Sequence, residues 1–178
     1  MDSPFCPVQD YEFRINGSMI HSSAQVEGVC VGNMTFIREN VRIGHDTRIG
    51  AQCCIEKDVI IGERCNVQSK VYIPSSTEIG SDVFIGPCVA MANDPLPTLP
   101  KDAKKPLRGP IIASHAIIGA GAILLPGVKI GEYAFVGAGS VVTRDVPDGD
   151  MYLGNPASYH MRTETYFGLK MIKEGNNE

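Results

Sequence analysis

Three residues around one proline-rich segment carry side chains able to do chemistry: Asn93, Asp94 and His115. The Asn93 amide takes no proton at useful pH, but its carbonyl oxygen can accept a hydrogen bond from an amine and fix the direction of that amine's lone pair. Asp94 can hold a substrate or take a proton, and His115 carries the imidazole suited to general base work near neutrality. Each also has a plain structural reading. Asn-Asp before Pro95 is an ordinary turn signal, and His115, next to Ala116, can simply face solvent. Lys104 and Arg108 within the segment, with Gln68 and Lys70 upstream, can bind an anionic group such as a diphosphate or only solvate the surface.

The segment stands out because it interrupts a regular pattern. NDPLPTLPKDAKKPLRGP (93–110) holds five prolines, whereas aliphatic residues before it recur every six positions from Val31 through Ile37, Ile43 and Ile49 to Met91. The register resumes at Ile112 and runs to Val142, and a second small or β-branched residue follows each anchor by four, as at Thr35, Val59, Cys65 and Ala122. A period of six fits neither the 3.6 of a helix nor the two of a simple strand, and it marks an internal repeat. One hexad makes a short strand and a turn, and three close a triangular coil, so residues 18 apart, such as Ile43, Ile61 and Ile79, stack in a column. The fold class expected is all-β: a left-handed parallel β-helix of hexapeptide repeats with one excursion loop and a short C-terminal helix. Residues 1–24 read as a lead-in that caps an otherwise open sheet edge, 25–158 as the β-helix with loop 93–111, and 159–178 as a helix (159–174) and tail. Pro147-Asp148-Gly149-Asp150 is expected to close the coils. Glycine often follows an anchor, which suits either an unusual backbone conformation or a close approach. Because the chain leaves its last strand at Asn93 and has rejoined by His115, Asn93, Asp94 and His115 are expected at one rim.

Composition bounds the function. The 178 residues suit one domain, and a formal charge of -4 gives no support to nucleic-acid or anionic-membrane binding. No stretch reads as a transmembrane helix, and the N-terminal residues lack the order of a signal peptide, so a cytoplasmic protein is expected. Of six cysteines, Cys53 and Cys65 take the small inward position, and no C-x-x-C motif occurs, so reduced structural thiols are expected. Of four histidines (His21, His45, His115 and His160) only His45 lies inside the regular coils. Three imidazoles meeting on one metal are therefore not expected, and no metal is assigned. A zinc hydratase of the γ-carbonic-anhydrase type and a non-catalytic β-helix scaffold remain as other classes.

GAGAILLPGVKIGEYAFVGAGSVVTRDVP (119–147), followed by GNPA (154–157), resembles the C-terminal signature of the hexapeptide-repeat acyltransferases. DVFIGPCVAMANDPLP (82–97) is similar to the subgroup that N-acetylates amino sugars on nucleotide carriers, such as the UDP-2-acetamido-3-amino-glucuronate and dTDP-3-amino-hexose enzymes. The resemblance implies an acetyl-CoA-dependent N-acetyltransferase for a UDP- or dTDP-linked amino sugar, with Asn93 facing the sugar amine. It implies a homotrimer with acetyl-CoA in the groove between neighbouring prisms. Ala120, Gly121, Ala138 and Gly139 would meet the pantetheine arm, Thr143 and Arg144 the nucleotide end, and Asn155 and Pro156 the closing turn. The family commonly has Arg after its G-N-P-A, where this chain has Ser158; Arg144 and Arg162 are the substitutes available for the CoA phosphate. Related enzymes acting on hydroxyls use a His base, so an O-acetyltransferase using His115 is the alternative.

Overall fold

The computed structural model describes residues 11–14, 16–97 and 106–168. Each hexad forms a two-residue strand whose second residue is the buried anchor, as in Arg42–Ile43, Ile60–Ile61 and Glu78–Ile79. These strands pair in parallel at a spacing of 18, so Ile43, Ile61 and Ile79 do form one column. Ile112 and Ile130 continue it. The chain is thus the expected all-β parallel helix, and among the described residues its strands make three sheets of eight, five and eight strands. We number the faces by anchor. The first carries Ile37, Ile55, Ile73, Met91, Leu124 and Val142; the second carries the Ile43 column; the third carries Val31, Ile49, Val67, Ile85, Ile118 and Val136.

The residue four after each anchor fills the prism beside a corner and must be small. Where it is polar, it is satisfied across that corner: Thr35 Oγ1 donates to the Gly50 carbonyl at 2.7 Å and Thr47 Oγ1 to that of Gly62 at 2.8 Å. Cys53 and Cys65 do the same with their thiols, reaching the carbonyls of Gln68 (3.2 Å) and Gly80 (3.0 Å). They therefore substitute for threonine in the core, and the five described cysteines are all free.

The two features of the corner fall on different residues. Glycine just after the anchor answers to close approach: a Cβ on Gly50 would lie 2.5 Å from the Gln68 carbonyl carbon. The left-handed backbone comes two residues later, where Asp46, Arg64, Asp82, His115 and Tyr133 all have φ between 55° and 62°. That conformation costs about 1–2 kcal/mol for a residue with a Cβ. It persists because each of these amides donates to the preceding coil, His115 N to Ser81 O at 3.0 Å for example.

Both ends depart from the simple repeat. Tyr11–Phe13 pairs antiparallel with Met19–His21 at the edge of the first face. At the far end the coils do not stop at 147–150: Asp150–Leu153 adds one more parallel strand to the third face and pairs antiparallel with Ser158–Arg162. The helix expected over 159–174 is therefore strand as far as Arg162, because the edge left by the last coil is covered by chain pairing. Among the described residues helix follows over 163–168, where Tyr166 and Phe167 pack on Phe135 of the third face; the rest of the span lies outside them.

Candidate functional site

Met91 and Ile112 are 21 residues apart where a hexad needs six, yet they anchor successive faces. The loop therefore returns the chain to the corner it left, and the side chains singled out by sequence distribute over three corners of the prism.

The first corner, between first and second faces, holds Asn93, Asp94 and Arg108. Asn93 sits 18 residues above Ser75, and its Nδ2 donates to the Ser75 carbonyl (3.0 Å) and to Ser75 Oγ (2.9 Å). A backbone carbonyl can only accept, so the amide has one orientation, and no described residue donates to its Oδ1. The Asn93 carbonyl accepts from Arg108 N at 2.7 Å, closing the mouth of the loop, and Asp94 Oδ1 accepts from Leu96 N at 2.9 Å. Asp94 is thus a turn anchor with one oxygen engaged. The Arg108 side chain runs beside Gly127 of the next coil, and exposed Thr143 and Arg144 lie one coil beyond that. Lys104 lies outside the described residues.

The second corner holds His115, so the expectation of a single rim is not met. Ile112 is the anchor of the next hexad, and His115, three residues on, turns the following corner, one face away from Asn93. It stands in a column of left-handed residues. Arg64 donates to both oxygens of Asp82 at 2.8 Å, and these bonds, with the nearby His115 in a smaller role, hold the Asp82 carboxyl below its ordinary pKa. His115 stacks on Tyr133 with ring centroids 4.6 Å apart and 5° between planes. Beside the stack opens a cleft of about 400 Å³ reaching Arg162 and Phe167. Arg162, read as a contact for CoA phosphate, is engaged here: its Nη1 donates to Asp150 Oδ1 and the Asp148 carbonyl, both at 2.7 Å.

The third corner gathers Gln68, Lys70, Ala120, Gly121, Ala138, Gly139 and the Asn155–Pro156 turn. Gln68 Nε2 is held by Asn66 Oδ1 at 2.7 Å, while Lys70 is exposed. Gly121 and Gly139 take the left-handed position, where a Cβ would meet nothing within 4 Å, so this edge is bare backbone open to solvent. The closing turn is fixed to it by Gly154 N donating to Ser140 Oγ at 3.1 Å, and its Asn155–Pro156 bond is cis.

Sequence reading missed Ser75, Tyr133 and Asp82. A spacing of 18 finds Ser75 and Tyr133 as coil neighbours of Asn93 and His115; Asp82 is found only after the loop's 15 extra residues are subtracted. Among the described residues no group of three or more His, Cys, Asp or Glu is placed to hold a metal ion, and no helix is long and apolar enough to cross a membrane.

Residues 40–75 and 109–144 match the family described as "Bacterial transferase hexapeptide (six repeats)". Over 46 residues the chain is 65% identical to nodulation protein L of Rhizobium meliloti (strain 1021), covering 26% of this chain and 25% of that one. Over another 46-residue match it is 52% identical to YvoF of Bacillus subtilis (strain 168), provisionally named an acetyltransferase, covering 26% and 27%. The chain thus spans about a quarter of the length of the curated relatives it matches. A solved structure, the BC4754 gene product of Bacillus cereus, superposes with a TM-score of 0.65 at 24% identity over 85% of this chain and 86% of that one, a likeness of fold. The chain thus carries the hexapeptide repeat of bacterial transferases on both sides of the loop, within one continuous parallel solenoid.

Proposed function

We propose that the chain is an acetyl-CoA-dependent N-acetyltransferase whose acceptor is the amine of a nucleotide-linked (UDP- or dTDP-) amino sugar. The observation that carries this reading is the Asn93 amide, held by both of its contacts to Ser75 so that Oδ1 is left as an acceptor at the mouth of the loop. Acyl transfer to an amine needs the lone pair aimed at the thioester carbonyl and a donor for the developing oxyanion. Asn93 supplies the aim by accepting an N–H. The amine nitrogen bonds to the carbonyl carbon, the carbon–sulfur bond breaks, and the amine's proton leaves to solvent or to the departing CoA sulfur. Arg108 at the same mouth suits an acceptor that carries phosphate.

The bare third corner suits close approach of the pantetheine arm, and the two corners come together in a cyclic trimer. They flank the first face, whose outward residues are apolar through the central coils: Cys54, Tyr72, Ala90, Ile123 and Val141. If that face turns toward a three-fold axis, the Asn93 corner of one copy lies against the Ala120–Gly139 corner of the next. Five free thiols suit a reducing compartment, which favours the cytoplasm.

Replacing Asn93 by Ala tests the reading. Turnover should fall about 10²-fold, the scale of losing one preset hydrogen bond to the reacting group, with CoA affinity unchanged. Equal loss of both would count against it. One observation favours a second reading, an O-acetyltransferase: His115 lines an open cleft. In that case His115→Ala abolishes turnover and Asn93→Ala is nearly silent.

A further inference from the structure

We propose that the cleft beside His115 and Tyr133 binds a small molecule presenting a primary ammonium group on a ring or other apolar body. This ligand site lies one face away from the Asn93 corner, and its occupancy does not depend on where acetyl transfer takes place.

The cleft, about 400 Å³, is of the size that holds a small organic ligand. Its apolar part is aromatic: Tyr133 is 56% exposed and Phe167 39% exposed, although both line a concave surface. The His115 ring backs the Tyr133 ring at 4.6 Å and fixes its plane, so the free edge and face of the pair present a preset π surface to a cation or a second ring.

The polar part asks for donors. Glu132, Asp148 and Glu164 line the cleft against one guanidinium, that of Arg162. The Arg162 charge is already matched by Asp150 at 2.7 Å. Asp148 spends one oxygen on Glu132 N at 2.8 Å and keeps the other. An anion placed here would face three carboxylates, and so would the carbonyl edge of a neutral ring. An ammonium brings three N–H donors and no acceptor.

Titration calorimetry on the intact chain without acetyl-CoA, using 2-phenylethylamine as the probe near pH 7, tests the site. The neutral isostere 2-phenylethanol and the anion phenylacetate serve as controls. The amine should bind at least about tenfold more tightly than either, the scale expected for charge-assisted hydrogen bonds. Glu132→Gln and Tyr133→Leu should each weaken the amine by roughly five- to tenfold. Both variants should keep the melting temperature of the parent, which separates loss of a ligand contact from loss of fold. Failure of the amine to bind, equal binding of the alcohol, or Glu132→Gln and Tyr133→Leu binding as the parent does would each overturn the proposal.

Discussion

Asn93 owes its direction to a residue 18 positions earlier, and that dependence is testable. Ser75→Ala removes one of the two contacts holding the amide and leaves the carbonyl contact. Turnover should fall by roughly three- to tenfold, the worth of about one ordinary hydrogen bond, with the KM for acetyl-CoA unchanged in steady-state kinetics. A parallel rise in KM would show that Ser75 shapes the cofactor groove instead. The cysteines make a second case at this scale. Burial pushes the Cys53 and Cys65 thiols up, and burial with the neighbouring Glu56 carboxylate pushes Cys54 up to about 11. At pH 8 all three are protonated and largely shielded, whereas Cys30 and Cys88 are exposed. Alkylation followed by peptide mapping should find Cys30 and Cys88 modified in the folded chain, and Cys53, Cys54 and Cys65 only after denaturation. Inward Cys53 and Cys65 were legible from the repeat, since they fall four after an anchor. Their thiol bonds to carbonyls were not, because these depend on how the next coil turns the corner.

Among the elements, the corner turn decides most of what can be substituted. Gly50 and Gly121 look alike in sequence, yet one is short of space and the other of conformational freedom. Gly50→Ala drives a Cβ into the backbone of the next coil and should cost about 2–3 kcal/mol or more. Gly121→Ala meets open solvent and should cost about 1–2 kcal/mol of left-handed strain. Thermal denaturation of the two variants gives the order, and a reversal would refute this account of the corner. The Arg64–Asp82 pair tests the column beside His115. Asp82 has a lowered pKa in the folded chain, so its contribution is present above the unfolded carboxylate value and is lost as pH falls through the folded one. Asp82→Asn should therefore lower the melting temperature at pH 6 and converge with the parent near pH 2. The loop's effect on placement was the part that sequence hid. Its ends are neighbours on one corner, so His115, although close along the chain to the loop's exit, is carried to the next corner by the hexad that follows.

For the whole molecule, the six-residue period made the solenoid legible before any local propensity, because the inside of a narrow prism repeats whatever the outside does. Ile43, Ile61 and Ile79 fall in one column as that period requires. The ends were less legible: Ser158–Arg162 alternates too briefly to be told from the start of a helix, and only pairing with Asp150–Leu153 makes it a strand. Asn93 and Arg108 lie at one edge of the first face and Ala120, Gly121, Ala138 and Gly139 at the other, and this makes assembly part of the proposed function. Light scattering should give three times the chain mass. Ile123→Glu, on the apolar first face, should return the monomer and abolish activity together. Most direct of all is release of free thiol from acetyl-CoA by the purified chain, measured across UDP- and dTDP-linked amino sugars, their N-acetylated products and hydroxyl-only sugars. CoA release is expected with at least one free-amine acceptor, none with its N-acetylated form, and the signal should be lost in Asn93→Ala. Release with the hydroxyl-only sugars that depends on His115, or no release and no CoA binding with any acceptor, would contradict the proposed function.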